Sequence, residues 1–445
     1  MGGIAAIAQQ AGHRVTGCDA NVYPPMSDQL RALGIDLVEG FDAAQMAFAP
    51  DLWVVGNVVS RGNPLMEAIL DARQPYVSGP QWLAEHVLAG RHVLAVAGTH
   101  GKTTTTSILA WILEATGRAP GFLIGGVAND FGVSARLSDS ELFVIEADEY
   151  DTAFFDKRSK FVHYRPTTAI LNNLEFDHAD IFPDVAAIQT QFHHLVRTVP
   201  RRGLIVANGA QPAIDEVLAR GCWSALERFD DAQGWTARVT EEGADRSTFE
   251  VAFAGESVGT CRSPLAGAHN RANVLAAIAA ARHAGVPPAD AISAVERFGG
   301  IKRRLELRGT VRGIEVYDDF AHHPTAIATT IDGLAARIAG TGGGQRGRIL
   351  AVLEPRSNTM KLGAMKALLP GSLEGAAKSF CYAANLGWDA GEALGPLGER
   401  AEVHEDLDEL VAAVVRDARP GDRVLVMSNG GFGGVHGKLL AALGA

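Results

Sequence analysis

Val93-Leu-Ala-Val-Ala-Gly-Thr-His-Gly-Lys-Thr-Thr-Thr-Thr-Ser107 decides the fold. The apolar run Val93–Ala97 predicts a buried strand. Gly98-Thr99-His100-Gly101 predicts a tight loop, and Lys102 and Thr103 open a helix running on through Ile108–Leu113. Strand, loop and helix N-terminus form a phosphate cradle: free backbone N–H groups point at the ligand and the helix dipole favours negative charge. Lys102 can reach the β/γ-phosphates, and the Thr103 hydroxyl can serve Mg²⁺. A full Walker A loop would need glycine where Val96 stands, so this is a shorter Gly-x-x-Gly-Lys-Thr-Thr form. A chance glycine turn is the rival reading. The apolar strand before it and the apolar helix after it favour the cradle.

Outward from this stretch, 445 residues suggest roughly three domains. Glycine is abundant and aromatics are few, as in α/β folds with many tight turns. A formal charge of −11 argues against a nucleic-acid partner but leaves room for anionic small-molecule substrates. Cys18, Cys222, Cys261 and Cys381 are scattered, so neither a zinc site nor a disulfide scaffold is expected. No apolar run approaches the ~20 residues of a membrane span, and no signal peptide is evident. A cytoplasmic protein without a membrane partner is expected, as a monomer or weak homo-oligomer.

Residues 1–88 predict a small α/β unit. Gly2–Gly12 reads as a helix, and His13–Asp19 as a strand closing on an acid. This is the second half of a nucleotide-binding fingerprint; its first strand and glycine loop are absent, which suggests a start at an internal methionine. Asp51–Gly56 predicts another strand, and in the loop after it Ser60 and Arg61 are candidates for phosphate or sugar, with a plain surface loop as the alternative.

Residues 89–298 predict the phosphate-handling domain. Leu142–Glu146 is a strand whose end carries Glu146, Asp148, Glu149 and Asp151, oxygen ligands suited to Mg²⁺. Thr168–Asn173 is a further strand, placing Asp177 and His178 on the same sheet edge as Lys102 and Glu146. The stretch 215–262 reads as polar and irregular, with a short strand at Val251–Phe253. A helix follows over Val274–Ala284. Asn270 and Asn273, three apart at its start, could grip a purine ring; capping is the rival role, especially for Asn270.

Residues 299–445 predict a third α/β domain. Phe298–Arg304 is a plausible hinge. Val316–Pro324 crowds Asp318, Asp319, His322 and His323 into one turn. The histidine pair lacks other metal ligands at suitable spacing. Strands Ile349–Leu353 and Arg423–Met427 each end in a polar or glycine-rich loop, a further ligand edge. Gly340–Gly347 is a low-complexity patch expected to be a flexible loop.

Gly98–Thr104, Glu146-Ala-Asp-Glu149, Asn173-Leu-Glu-Phe-Asp-His178, His269-Asn270-x-x-Asn273, Arg303-Arg304 and Asp318–Thr325, in that order, resemble the Mur ligase superfamily across essentially the whole chain. The resemblance implies an α/β chain of three domains: a parallel-sheet N-terminal UDP-substrate domain, a central P-loop ATPase domain and a Rossmann-like C-terminal domain for the amine substrate. Asp19–Ser27, Ser78–His86, Asp148–Ser159, Glu354–Lys361 and Ser428–Gly433 resemble the branch that adds the murein tripeptide to UDP-N-acetylmuramate more than the L-alanine-adding branch. A P-loop switch ATPase is the alternative from another class.

The implied chemistry is activation of the sugar-borne carboxylate by ATP to an acyl phosphate, then attack by the tripeptide amine. The implied catalytic set is Lys102, Glu146 and His178, with Thr103, Glu146 and His178 on Mg²⁺. ATP would meet Gly98, Thr99, His100, Gly101, Lys102, Thr103 and Thr104, with Asn270 and Asn273 at adenine and Arg304 and Asp319 reaching in from the third domain. Substrate would meet Ser60, Arg61, Asn129, Arg136, His322 and His323, with Arg356, Ser357, Asn358 and Lys361 at the tripeptide's carboxylates. Several relatives carry a carbamylated lysine that helps bind a second Mg²⁺. No lysine lies between Lys160 and Lys302, so that device is not expected.

Overall fold

The strand His92–Ala97 lies inside a ten-stranded sheet, between Thr168–Leu171 on one side and Leu142–Ala147 on the other, parallel to both. The computed structural model behind this description covers every residue except 21, 23–25, 244–245, 341–346 and 445. Most of the Gly340–Gly347 patch therefore lies outside the described residues.

The apolar run is buried on both faces because alternate side chains enter two different cores. Leu94 and Val96 pack with Val144 and Ile170 under the helices Lys102–Ala115 and Ala268–His283. Val93, Ala95 and Ala97 pack on the opposite face with Trp82, Leu83, Phe161 and Phe192. Helix Lys102–Ala115 drives Ile108, Leu109, Ile112 and Leu113 into the first core, each worth about 2 kcal/mol in apolar burial. The second helix is alanine-rich along its buried side, which lets it lie close against the first.

Register fixes the site. Leu171 pairs with Ala97, and Ala97 with Ala147, so the chain leaves all three strands at one edge. Gly98, the acids after Glu146, and Asn172 onward emerge there together.

One reading needs correction. The stretch 215–262 is not irregular: Trp235–Glu242, Ser247–Phe253 and Glu256–Ser263 form an antiparallel meander at the sheet edge. Ser247, Phe249 and Val251 point inward while the residues between them do not, an alternation masked by the charges on the outer face. The strands of the N-terminal unit are parallel, as expected. Among the described residues they form two separate pairs, Thr16–Asp19 with Asp36–Glu39 and Trp53–Val55 with Tyr76–Ser78.

The C-terminal sheet has six strands. Glu306–Val311 runs antiparallel to Ile314–Asp319; then Arg423–Met427, Ile349–Leu353, Lys378–Tyr382 and Ala401–His404 follow in parallel. The segment leading into it is pinned rather than free. Asn129 N–H donates to Gly300 O (3.0 Å), Gly299 N–H to Asp130 (2.9 Å) and Lys302 N–H to Val127 O (3.0 Å). The two sheets meet through Asp177 Oδ1, which accepts from Thr359 Oγ1 at 2.8 Å, and Phe176 O, 3.2 Å from His323 Nε2. No described helix is long and apolar enough to cross a membrane.

Candidate active site

The loop after His92–Ala97 is built for an anion. Gly98 has φ 151°, and a Cβ there would lie 2.9 Å from Asn172 Cβ; Gly101 has φ 77°, and its Cβ would lie 2.7 Å from Asn273 Oδ1. Only glycine lets the loop pass so close. No side chain caps the helix that follows, so its first amides remain for a ligand. His100 N–H donates to Asn173 Oδ1 at 2.7 Å, and Asn173 Nδ2 returns a bond to His100 O at 3.0 Å, fixing the loop on the neighbouring strand end.

Asn172 and Asn273 brace the loop from behind. Asn172 Nδ2 donates to Thr105 Oγ1 and to Asn273 Oδ1, and Thr105 Oγ1 donates to Asn273 Oδ1, all at 3.0 Å. Asn273 is buried and spent on this brace, so its position suits holding the phosphate loop rather than facing a purine. Asn270 is not a cap: the helix starts at Ala268, and Asn270 Nδ2 donates back to Ala266 O.

Lys102, on the first helical turn, enters an acidic cluster. Its Nζ lies 2.7 Å from Glu149 Oε2 and 3.7 Å from Asp148 Oδ1. Burial alone would lower its pKa, but Glu149 and Asp148 overcome this and raise it, so the ammonium stays charged. Glu149 is 1% exposed, and its other oxygen lies 3.5 Å from His178 Nε2. Burial opposes its charge, but Lys102 and His178 hold its pKa below the usual carboxylate range. Lys160 pairs with Asp148 at 2.7 Å and, with Lys102, outweighs burial to lower that carboxyl. Thr103 Oγ1 donates to Glu146 Oε1 (3.1 Å) and Gly125 N–H to Glu146 Oε2 (2.8 Å). Burial dominates there and raises the Glu146 pKa.

The expected metal set thus falls into two adjoining groups. Thr103 meets Glu146, whereas His178 meets Glu149, and Asp148, Glu149 and His178 bring one ligand atom each within 4.8 Å. The acid run announced Glu149 and Asp148, but the sequence alone did not show which acid would turn towards Lys102. His178 itself sits at φ 54°, its N–H held by Asp177 Oδ1 at 2.7 Å.

Beyond His178 opens a cleft of about 270 Å³ lined by His322, Arg356, Ser357, Asn358 and Asn429. Arg356 packs against Gly430, where a Cβ would lie 2.4 Å from its Nη1. Asn358 Nδ2 donates to Asp180 at 2.7 Å, and Ser357 caps the short helix Asn358–Lys361. Asn429 Oδ1 is buried without a partner among the described residues, a ready acceptor for a ligand N–H. Burial keeps His322 neutral, with its pKa lowered to about 4. Lys361 is exposed and does not line the cleft.

The twin arginines divide their work. Arg303 pairs with Asp318 (3.2 Å) and donates to Ser428 O and Gly430 O, so it belongs to the third domain's frame. Arg304 lies over the Phe320 ring; burial raises the Asp319 pKa, and Arg304 only partly offsets it. Asp319 accepts from the Leu305 and Ala321 amides, a backbone-fixing role.

Other expected substrate contacts are not brought to the cleft. Arg61 pairs with Glu67 at 2.9 Å on the N-terminal unit's surface, and Ser60 lies beside it. Arg136 is bound to Glu114 and Pro120 O and stacks over Phe122 and Phe131. Asn129 Nδ2 donates to Gly299 O, holding the inter-domain segment. His323 is buried against Phe176 O, its ring 4.7 Å from that of His100.

Sequence models of three domains match in this order: the Mur ligase family catalytic domain over residues 1–91, the Mur ligase middle domain over 96–281, and the Mur ligase glutamate ligase domain over 303–430. The chain is 54% identical, over all of its own length and 96% of the relative, to the UDP-N-acetylmuramate–L-alanyl-γ-D-glutamyl-meso-2,6-diaminoheptandioate ligase of Escherichia coli. It is 31% identical over 100% of its length and 93% of the relative to the UDP-N-acetylmuramate–L-alanine ligase of Myxococcus xanthus. The crystal structure of a murein peptide ligase from Psychrobacter arcticus superposes with a TM-score of 0.79 at 45% identity, covering 100% of this chain and 96% of that one. By these matches the chain belongs to the Mur ligase family of ATP-dependent, amide-bond-forming ligases.

Proposed function

We propose that the chain joins the tripeptide L-alanyl-γ-D-glutamyl-meso-diaminopimelate to UDP-N-acetylmuramate, in peptidoglycan recycling, at the cost of ATP. The observation that carries this reading is the cleft that His178 lines together with Arg356, Ser357 and Asn358. The phosphate-loop cluster adjoins it through His178 and Glu149. The activity named for the Escherichia coli relative at 54% identity supports the tripeptide over L-alanine alone.

The residues present fit ATP and Mg²⁺. The Gly98–Gly101 loop and the uncapped helix after it offer backbone N–H groups to phosphates, Lys102 offers a buried charge, and Thr103 and Glu146 offer the hard oxygen donors that Mg²⁺ prefers. When bound, ATP supplies the phosphoryl group that makes the sugar carboxylate electrophilic, and Mg²⁺ neutralises the triphosphate. Lys102 then holds negative charge, while His178 and Glu146 serve the metal. Arg356 holds a tripeptide carboxylate in a guanidinium fork, and Asn358 and Asn429 orient the peptide's polar groups. The work is mainly positioning and charge neutralisation, the two terms that dominate phosphate chemistry.

The test is mass analysis of the product formed from UDP-N-acetylmuramate, ATP, Mg²⁺ and the tripeptide. A product heavier than the UDP-sugar by the tripeptide less one water is expected. An unmodified UDP-sugar with ATP still hydrolysed would contradict the reading.

A further inference from the structure

Of the histidine pair that found no metal partners in the local sequence, His323 acquires them in the fold. His100 comes from the phosphate loop, Glu175 from the segment after Thr168–Leu171, and His323 from the turn before helix Pro324–Gly340. One ligand atom from each lies within 4.8 Å of the others: His100 Nε2 is 3.4 Å from Glu175 Oε2, and His323 Nδ1 is 4.0 Å from the same oxygen. A tetrahedral ion with bonds of about 2.1 Å sets its ligand atoms about 3.4 Å apart, so the first separation already fits and the second closes by about 0.6 Å on binding. His323 Nε2 lies 3.2 Å from Phe176 O, so that nitrogen carries the proton and Nδ1 offers its lone pair. Its present partner there, the Thr325 amide, is a long 3.3 Å away.

We propose that His100, Glu175 and His323 form a second cation site, distinct from the Lys102–Glu149–His178 cluster, that takes a borderline divalent ion such as Zn²⁺ with a fourth position open to water. Two imidazoles and one carboxylate are a zinc donor set, whereas Mg²⁺ prefers oxygen throughout. Two of the three ligands are in the state a metal needs. Glu175 is held ionised, its pKa lowered to about 2 chiefly by the bond with His100, whose place on that oxygen the ion would take, and burial lowers the His323 pKa, which favours the neutral ring. The ion would replace the Thr325 Oγ1 bond now made to Glu175 at 2.7 Å. Its ligands span the phosphate loop and the C-terminal domain, so occupation fastens one to the other.

The test is titration of the full chain with Co²⁺ under saturating Mg²⁺, followed by visible absorption. One equivalent with the intense bands of four-coordinate cobalt, displaced by Zn²⁺, is expected. His323→Ala and Glu175→Gln should each weaken binding at least about tenfold, while His178→Ala and Thr325→Ala keep the signal, Thr325→Ala because it removes only the competing donor. Absence of four-coordinate bands in the unsubstituted protein overturns the proposal. So does their loss in His178→Ala, or unchanged affinity in His323→Ala or Glu175→Gln. Circular dichroism identifies any variant that has not folded, and the remaining variants then carry the decision.

Discussion

Lys102, in the acidic cluster of the phosphate loop, and Arg356, in the cleft beyond His178, each support a separate expectation. Lys102 is the buried cation of the phosphate loop, charged because Glu149 and Asp148 surround it. Lys102→Ala should lower turnover by about 10²–10³, the usual loss on removing one preorganised group that faces developing charge. Steady-state kinetics at saturating substrates measure it. Arg356 lines the cleft beyond His178 and is not part of the phosphate loop. Arg356→Ala should raise the tripeptide KM about tenfold or more, the worth of one charge-assisted hydrogen bond, and leave ATP binding unchanged. Unchanged tripeptide kinetics would remove Arg356 from the binding site. At this scale the sequence showed which residue types collect at the edge but not their pairings. Glu149 and Glu146 look equivalent in Glu146-Ala-Asp-Glu149, yet strand register turns one to Thr103 and the other to Lys102. Arg136 and Asn129 stood among the substrate contacts that the family resemblance implied. Their actual partners, Glu114 and Gly299, are set by tertiary packing that local pattern does not carry.

At the scale of elements, the phosphate loop is held by what lies behind it. Gly101→Ala would force a Cβ to within 2.7 Å of Asn273 Oδ1 at φ 77°. It should cost about 1–3 kcal/mol, read as a lower urea midpoint with weakened nucleotide binding. The other end of the same strand carries a pH-sensitive contact. Thr168 Oγ1 sits 2.7 Å from both His92 Nε2 and His283 Nδ1, and burial, helped by His283, lowers the His92 pKa to about 4. Unfolded, His92 takes a proton near pH 6.5; folded, it does not until about pH 4. Its burial therefore costs stability progressively as pH falls from about 6.5 to 4, and costs nothing above that window. The melting temperature of the unsubstituted protein should drop more steeply across that window than that of His92→Gln; equal slopes would contradict the assignment. The strand–loop–helix element itself was legible because a doubly buried strand and an apolar helix flank two glycines. The meander Trp235–Ser263 was not, because its inward Phe249 and Val251 alternate with Thr248, Glu250 and Ala252 and only one face is covered.

For the whole molecule, the order of motifs along the chain anticipated two of the sheets and their shared ligand edge. It did not anticipate that the N-terminal unit would form two separate strand pairs, nor which side chains would meet between the central and C-terminal sheets. The Asp177–Thr359 and Glu175–Thr325 bonds join residues more than a hundred positions apart, beyond the reach of any periodicity. Those contacts place the peptide cleft beside the phosphate loop, and the central claim depends on that adjacency: one site couples ATP cleavage to capture of a peptide amine. Phosphate release from ATP and Mg²⁺ with UDP-N-acetylmuramate, measured with the tripeptide and separately with L-alanine, tests it most directly. Strong stimulation by the tripeptide, dependent on the UDP-sugar and absent with L-alanine, is the expected result. Stimulation by L-alanine alone, or release that needs neither the UDP-sugar nor the peptide, would contradict the account.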